Sequence, residues 1–177
     1  MSKKVLIHSA FDSEARALIE YFKLPCIQKK PYKIYANSDI IIAILGMGAK
    51  NTQRLHEIFQ QHKIQKAINL GIAGCSDQKV PIGALFCTNH NLGFIEQASL
   101  SSHQSAVDES VRLTSTLVDM ESATFLKITQ QYLDPNQIYI LKVVSDYLDT
   151  TIPKQEFVWK IMKKNLSAIV NVVTSPD

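Results

Sequence analysis

The amino-acid sequence predicts an α/β fold built on a largely parallel sheet. Segments typical of buried strands alternate with segments whose apolar residues recur at helical spacing. Such alternation is the signature of βαβ units, in which helices connect parallel strands. The 177 residues, 46% of them hydrophobic, are enough for one domain with a full core and too few for two. We therefore assign residues 1–177 to a single domain.

The first half of the chain predicts a strand–helix unit, a hairpin and a second such unit. A buried strand is expected over residues 4–10, followed by a helix over 12–22. Asp12 is the expected N-cap of that helix, because its carboxylate can accept from the free amides of the first turn. The remaining predictions are a hairpin of strands 32–37 and 39–45, a helix over 49–62, and a strand over 66–72 closed by the turn Gly71-Ile72-Ala73-Gly74.

The second half continues the alternation. It predicts strands over 84–89 and 93–98, a polar loop over 100–110, a strand over 114–120, a helix over 121–132, a strand over 137–144 and a long terminal helix over 153–172. Glu121 and Asp146 then follow two neighbouring strands, while Glu14 lies in the first turn of the first helix. If these strands are parallel, all three acids converge on the carboxyl edge of the sheet, where open α/β sheets bind ligands.

Composition and charge exclude several classes of function. Nineteen basic residues against sixteen acidic ones, with scattered lysines, predict no basic face for nucleic acid. Cys26, Cys75 and Cys87 are widely spaced, which supports neither a disulfide framework nor a zinc site, and we expect no metal or cofactor. The first residues lack the long apolar region of a signal peptide, and no apolar run approaches membrane-spanning length. We expect a cytoplasmic protein that does not bind membranes.

Two segments place a carboxylate where an apolar run stops. They are Val118-Asp119-Met120-Glu121-Ser122-Ala123 and, one crossover later, Val144-Ser145-Asp146. Two acidic groups at neighbouring strand ends can hold a polyhydroxylated ligand and deliver a proton. This pattern suggests chemistry on a sugar-bearing substrate.

Taken together and in order, several motifs resemble the nucleoside phosphorylase/nucleosidase superfamily. Within it, the closest patterns are those of the methylthioadenosine/adenosylhomocysteine nucleosidases and futalosine hydrolases. The motifs are Asp119-Met120-Glu121-Ser122-Ala123 with Ser145-Asp146, the segment Gly71-Ile72-Ala73-Gly74, the pair Ile82-Gly83, and Glu14 after the first strand. The resemblance spans nearly the whole chain. It implies a three-layer α/β/α architecture with a central mixed, largely parallel sheet, and a homodimer.

The resemblance assigns the sugar-binding half of the site to the first motif. Glu121 corresponds to the glutamate that bonds the ribose hydroxyls, and Met120 to the methionine packed against the sugar, with Asp119 beside them. Met47, between two glycines, corresponds to a residue lining the pocket near the sugar or base. Without the resemblance, both methionines would be read as core residues.

The resemblance also assigns the two proton-transfer roles. Asp146 corresponds to the aspartate that protonates the leaving purine, oriented by Ser145, and Glu14 to the glutamate that activates water for attack on the anomeric carbon. Breaking an N-glycosidic bond needs a proton donor at the base and a proton acceptor for water. We expect Glu14, near the surface end of a helix, to remain ionised. On the residues alone, a solvated first-turn glutamate is an equally good interpretation of Glu14.

Three substitutions relative to the family bear on whether phosphate or water is the nucleophile. Asn69 stands where the phosphorylases carry an arginine, and Ile72 where they carry a serine. A phosphate dianion would find little there to replace its water, so hydrolysis is favoured over phosphorolysis. Lys142 stands where the nucleosidases carry an arginine that orders the water, which keeps the charge and loses the planar fork.

The base-binding side of the site is less defined. The family has a longer insert between Gly83 and Asp119 with a stacking aromatic, whereas residues 100–105 here contain none. Phe94 is a candidate substitute, and His103 is the one histidine expected near the site. The favoured function is hydrolysis of a purine nucleoside or a related modified nucleoside. The alternatives are a phosphate-dependent nucleoside phosphorylase and a nucleoside-binding relative that has lost turnover.

Overall fold

The computed structural model describes residues 3–176 and contains a mixed, largely parallel sheet between two layers of helices. Met1 and Ser2, used above in the signal-peptide argument, lie outside the described residues. The strands are β1 (Lys4–Ser9), β2 (Cys26–Gln28), β3 (Lys33–Ala36), β4 (Ile40–Ile44), β5 (Ile64–Cys75), β6 (Leu85–Cys87), β7 (Glu96–Gln97), β8 (Leu100–Ser102), β9 (Leu117–Asp119) and β10 (Ile138–Asp146). The helices are α1 (Asp12–Tyr21), α2 (Ala49–Thr52), α3 (Leu55–Gln61), α4 (Ser122–Thr129), α5 (Gln155–Lys164) and α6 (Leu166–Thr174).

The sheet has the order β2-β3-β4-β1-β5-β10-β6-β7. Its centre is parallel, because β1 pairs with β4 and β5, and β5 pairs with β10. The predicted hairpin is confirmed as antiparallel β3 and β4. Short β9 pairs antiparallel with the end of β5, and β8 pairs parallel with β9. The predicted three-layer α/β class is therefore confirmed.

Successive residues of the central strands enter different cores, since side chains alternate across a sheet. Ile7 and Ile42 pack toward α1, α5 and α6 on one face. Leu6 and Ile41 pack toward α3 and α4 on the other, around Phe125. Both faces of the central strands are thus covered, which explains their nearly continuous apolar sequence.

Both long helices predicted from periodicity are divided in the structure. The helix expected over 49–62 is α2 and α3, and the helix expected over 153–172 is α5 and α6. The second break has a visible cause at Asn165, whose side-chain amide donates to Ile161 O and to Gly83 O, each at 2.9 Å. That amide ties the break to the loop before β6, which a helical period cannot reveal.

Three local predictions are wrong. Asp12 is the first residue of α1, not its N-cap, and its carboxylate binds Lys33 Nζ at 2.6 Å instead. The segment Gly71–Gly74 is not a turn, because β10 on one side and β9 on the other extend β5 to Cys75. The polar segment 100–110 begins with a strand, β8, held by parallel pairing with β9. Strand β2 was not predicted.

The sequence also predicted no membrane-spanning segment, no metal site and no disulfide framework. In the described part of the chain, no helix combines the length and apolar character that crossing a bilayer requires. Over residues 3–176, no group of three or more His, Cys, Asp or Glu side chains is arranged to hold a metal ion. The three cysteines are free thiols, with Cys26 exposed and Cys75 and Cys87 buried.

Candidate active site

A cavity of about 120 Å³ opens at the carboxyl edge of the central strands. Its walls come from the β1–α1 junction, the end of β5, the β9–α4 junction, the end of β10 and the loop that follows β10. Four predicted acids lie on these walls: Glu14, Asp119, Glu121 and Asp146. Met47, Ile72, Met120 and Ser145 line the same cavity. The structure therefore brings together eight of the nine predicted site residues, and Lys142 lies just behind them.

Glu14 is placed by the tight connection between β1 and α1. Its Oε2 accepts from the backbone N–H groups of Ala10, at 2.8 Å, and Phe11, at 2.9 Å, while its Oε1 accepts from Ile72 N–H at 3.0 Å. The side chain is 4% exposed, and this burial raises the pKa of Glu14 to about 7, against the hydrogen bonds and nearby Lys142. The expectation of a surface glutamate that stays ionised is wrong. With a pKa of about 7, Glu14 is present in both its ionised and its protonated form near neutral pH.

The Ile72 amide is available to Glu14 because β5 extends past β1. The register of these two strands ends at His8 and Asn69, and β9 pairs on that side only from Gly74, which leaves residues 70–73 of β5 between the two pairings. Gly71 leaves the necessary room: a Cβ there would lie 3.0 Å from Glu14 Oε1 and 3.3 Å from Lys142 Nζ. The glycine is thus required by the close approach of an acid and a cation.

Glu121 immediately precedes α4, and its Oε1 accepts from Gly48 N–H at 2.7 Å. Burial raises the pKa of Glu121, while the charge of Lys142 opposes the rise. The argument that brought Glu121 here needs two corrections, because β9 is antiparallel to β5 and because β5 lies between β9 and β10, so the two strands are not neighbours. Glu121 still reaches the same edge, since β9 pairs with the last two residues of β5.

Asp119 is occupied by protein contacts. Asp119 Oδ2 lies 2.7 Å from Lys142 Nζ and also accepts from Ser122 N–H at 3.0 Å and from the Ser122 hydroxyl. Asp119 Oδ1 accepts from the Ser102 hydroxyl. Burial alone would raise the pKa of Asp119, but Lys142 and the hydrogen bonds hold it below its usual range. Lys142 does not line the cavity. Burial opposes its charge, yet Asp119 and then Glu121 keep the pKa of Lys142 above its usual value.

Asp146 is the last residue of β10 and is half-buried. The Ser145 hydroxyl lies 2.5 Å from Asp146 Oδ2, and Asp149 N–H donates to Asp146 Oδ1 at 3.0 Å. Gly74 allows this approach, because a Cβ there would lie 3.2 Å from Asp146 Oδ1. The carboxyl group is thus held in a fixed orientation at the cavity wall.

Three other residues considered from the sequence lie outside this cavity. Phe94 is 55% exposed and lines a separate surface hollow near Val80. His103 N–H donates to Asp119 O, and its ring contacts Ser101 Oγ at 3.1 Å. Asn69 is 2% exposed and points its amide at His8 and Ser122. Asn69 therefore does not line the cavity.

Sequence reasoning missed part of the cavity wall. Phe11 supplies the aromatic ring, and Val107, Leu148 and Ile152 add apolar surface from two loops. Phe11 stands between the first strand and Glu14, so its position was a usable signal. The loop residues carried none, because their approach depends on how the two loops fold over the edge of the sheet.

The cavity has an acidic lining. Among the described residues that line it, five are acidic, Glu14, Asp119, Glu121, Asp146 and Asp149, and none is Lys, Arg or His. The nearest cation identified at the site, Lys142, has a side chain only 1% exposed and is paired with Asp119. An anion entering the cavity would meet negative charge without a basic side chain on the wall.

The order of strands and the cavity at their carboxyl edge define a three-layer α/β fold of the nucleosidase type. Solved structures share it. The 5′-methylthioadenosine/S-adenosylhomocysteine nucleosidase of Helicobacter pylori, as a mutant with 5′-methylthioadenosine in the active site, matches with a TM-score of 0.79 and 17% identity over 97% of this chain and 100% of that one. The futalosine hydrolase of the same organism matches with a TM-score of 0.74 and 18% identity over 96% and 98%.

A third structure, a putative nucleosidase of the first kind from Francisella philomiragia, matches with a TM-score of 0.79 and 13% identity over 99% of this chain and 100% of that one. No family model and no curated protein sequence matches this chain. At these identities the likeness establishes the fold, which is the one that the sequence motifs implied.

Proposed function

We propose that the protein hydrolyses the N-glycosidic bond of a nucleoside and releases the free base and the free sugar. The observation that carries this proposal is the placement of Glu14, Glu121 and Asp146 on the walls of one cavity. Glycoside cleavage with water needs an acceptor for the proton of water and a donor for the leaving group. The neighbours of the same fold are themselves nucleosidases and a futalosine hydrolase.

In the proposed reaction, Glu14 takes a proton from water as the water oxygen bonds to the anomeric carbon. The carbon–nitrogen bond breaks, its electron pair passes to the base, and Asp146 delivers a proton to the base. Glu14 suits its role because its pKa of about 7 lies near neutral pH, where a general base is most effective. The three backbone N–H groups that bind its two oxygens fix the direction of the carboxylate.

Glu121 is proposed to accept hydrogen bonds from the ribose hydroxyls. Its position beside Gly48 and Met47 supports a sugar site between the loop of residues 46–48 and Met120. The half-buried thioether side chain of Met120 supplies an apolar surface for the sugar ring. Asp119 and Lys142 support this half from behind, since their charges are paired with each other.

Hydrolysis is favoured over phosphorolysis by the charge of the cavity. A phosphate dianion needs cations or several hydroxyl donors to replace its water. The cavity wall, over the described residues, offers acids and no basic side chain, and Lys142 is committed to Asp119. Water as the nucleophile brings no such cost.

We propose a purine nucleoside as substrate, a homodimer as the working form and the cytoplasm as the location. The Helicobacter pylori neighbour holds 5′-methylthioadenosine, which is a purine nucleoside.

Phe94, 55% exposed in the apolar segment 92–95, supports a contact between subunits. The free thiols of buried Cys75 and Cys87 fit a reducing compartment. Light scattering tests the dimer, and Phe94→Asp is expected to yield monomers.

The enzymatic proposal is tested by incubating the protein with a panel of nucleosides, with and without phosphate, and following base and sugar. We expect free base and free sugar at rates independent of phosphate. If sugar phosphate forms, and only when phosphate is present, the reaction is phosphorolysis and the proposed hydrolysis is wrong. Binding without turnover, abolished in Glu121→Ala, would identify a nucleoside-binding protein that has lost its activity.

A further inference from the structure

Four buried polar side chains form a continuous chain behind the cavity. His8, Asn69, Ser122 and Asp119 are 0%, 2%, 4% and 7% exposed. His8 and Asn69 are register partners on β1 and β5, and their side chains meet at 2.8 Å through His8 Nδ1. Asn69 Nδ2 is the atom that faces His8, and Asn69 Oδ1 lies 3.1 Å from Ser122 Oγ, which in turn hydrogen-bonds Asp119 Oδ2. At the Asp119 end of this chain, the carboxylate forms a buried ion pair with Lys142.

The direction of the hydrogen bonds follows from the acceptor at the end of the chain. Ion pairing with Lys142 holds the pKa of Asp119 below its usual range, and an ionised carboxylate only accepts. The single hydrogen of the Ser122 hydroxyl is therefore donated to Asp119. Ser122 Oγ then needs a donor on its other side, and the Asn69 amide nitrogen can supply one.

His8 completes the direction. Burial, and then the charge of Lys142, lower the pKa of His8 to about 3, so the neutral imidazole carries one hydrogen. The direction inferred from Ser122 requires the Asn69 amide to be rotated by 180° from its orientation in the structure, so that its nitrogen faces Ser122 and its oxygen faces His8 and accepts from Nδ1–H. His8 Nε2, which is buried without a hydrogen-bond partner among the described residues, then bears only a lone pair. In the orientation that the structure gives, His8 Nδ1 accepts from Asn69 Nδ2, and His8 Nε2 is a buried N–H with no acceptor among the described residues, which is the costlier arrangement.

The chain ends at the turn that carries Glu121. Asp119 accepts from Ser122 N–H at 3.0 Å, which closes the turn from Asp119 through Met120 and Glu121 into α4. Glu121 Oε1 in turn accepts from Gly48 N–H at 2.7 Å. The orientation of Asp119 is therefore linked to the position of the Glu121 carboxylate through this turn.

We propose that Asn69 and Ser122 are positioning residues: a one-directional chain of buried hydrogen bonds, donated from His8 through Asn69 and Ser122 to Asp119, fixes the turn that places Glu121 in the cavity. The consequence for turnover rests on the proposed nucleoside hydrolysis. The chain and its effect on Glu121 do not, because both can be observed without substrate.

The test is nuclear magnetic resonance of the ¹⁵N-labelled full chain at neutral pH. His8 ring signals are assigned by their loss in His8→Gln, and we expect the tautomer with hydrogen on Nδ1. A His8 ring with hydrogen on Nε2 would overturn the proposed direction. In Ser122→Ala we expect the tautomer preference to weaken and the Gly48 amide proton to shift, because the turn holding Glu121 relaxes.

Two further variants separate this role from general packing. Ser122→Thr keeps the hydroxyl and should restore both signals. Thr129→Val is the matched control, since Thr129 is 0% exposed on the same helix and its hydroxyl hydrogen-bonds within that helix, to Phe125 O at 2.9 Å and to Leu126 O. It should leave the His8 and Gly48 signals unchanged. Unchanged signals in Ser122→Ala, or equal changes in Thr129→Val, would overturn the positioning role.

Measurements of turnover test whether the chain of hydrogen bonds affects catalysis. We expect kcat/KM of Ser122→Ala to fall about tenfold, the effect of one buried hydrogen bond, and Ser122→Thr to recover most of it. A Ser122→Ala enzyme that moves the Gly48 signal but keeps full kcat/KM would refute the catalytic consequence of the chain. Absence of turnover in the unsubstituted protein would refute the proposed hydrolysis instead, while the resonance data would still decide the positioning role.

Discussion

Lys142 Nζ lies 2.7 Å from Asp119 Oδ2, and both side chains are only 1% exposed. The strands β9 and β10, which pair with opposite sides of β5, thus place a cation directly behind a group of acids. The charge of Lys142 favours the ionised forms of Asp119, Glu121 and Glu14, against the burial of each. One lysine therefore allows several carboxylates to share a small, poorly solvated volume.

Removing this cation should destabilise the fold strongly. Lys142→Met leaves Asp119 buried without its partner, and breaking a buried ion pair in this way costs about 3–5 kcal/mol. Urea denaturation measures the loss in the free energy of unfolding. The double variant Lys142→Met/Asp119→Asn should recover part of it, because neither charge remains. A Lys142→Met protein as stable as the original would mean that Asp119 is not ionised.

Activity should fall as the pH drops through about 7. Burial raises the pKa of Glu14 to about 7, and only the ionised carboxylate can accept a proton from water. Below that pH the ionised fraction decreases tenfold per unit, so kcat/KM should decrease in proportion. A profile measured from pH 5 to 9 locates this limb. In Glu14→Gln the residual rate should be lower by a factor of about 10²–10⁴ and should lack the limb.

The sequence was sufficient for the alternating strands and for the acids at their ends, because both depend on local pattern. It was insufficient where a distant partner decides the outcome. Gly71 was assigned to a turn, although pairing with β10 keeps it in a strand. Glu14 was expected near the surface, but the backbone N–H of Ile72, on the distant strand β5, donates to its carboxylate. Asn165 divides a helix by reaching Gly83, which no helical period reports.

Gly71→Ala should impair the reaction more than it impairs the fold. The new Cβ would lie 3.0 Å from Glu14 Oε1 and 3.3 Å from Lys142 Nζ, so at least one of these groups must move. We expect a lower kcat and a displaced acidic limb of the pH profile, since the distance between acid and cation changes. The control is Gly93→Ala, which lies outside the cavity and whose positive φ of 74° strains an alanine, so it should lower stability without changing kcat. Equal kcat in Gly71→Ala would show that the space is not critical.

Loss of the Glu121 carboxylate should weaken nucleoside binding. Hydrogen bonds to charged groups contribute about 1.5–3 kcal/mol each, so Glu121→Ala should reduce affinity at least about tenfold. Calorimetry with a substrate identified in the panel, or with its non-hydrolysable analogue, gives the affinity directly. Glu20→Ala removes an exposed glutamate that pairs with Arg16 and should bind normally. Unchanged affinity in Glu121→Ala would remove Glu121 from the sugar site.

Asp146→Asn should abolish most turnover while the fold survives. The amide is nearly isosteric with the carboxyl group but cannot donate a proton of comparable acidity to the base, so kcat should fall by about 10²–10⁴. The surroundings can accept the change, because the Ser145 hydroxyl can donate to Ala73 O, 3.3 Å away, and accept from the new amide. Asp39→Asn, at an exposed aspartate of the hairpin turn, is the control for the substitution itself. Circular dichroism and thermal melting establish that the variant is folded. Because the amide preserves the shape of the site, full activity in a folded Asp146→Asn protein would assign the leaving-group proton to a different donor.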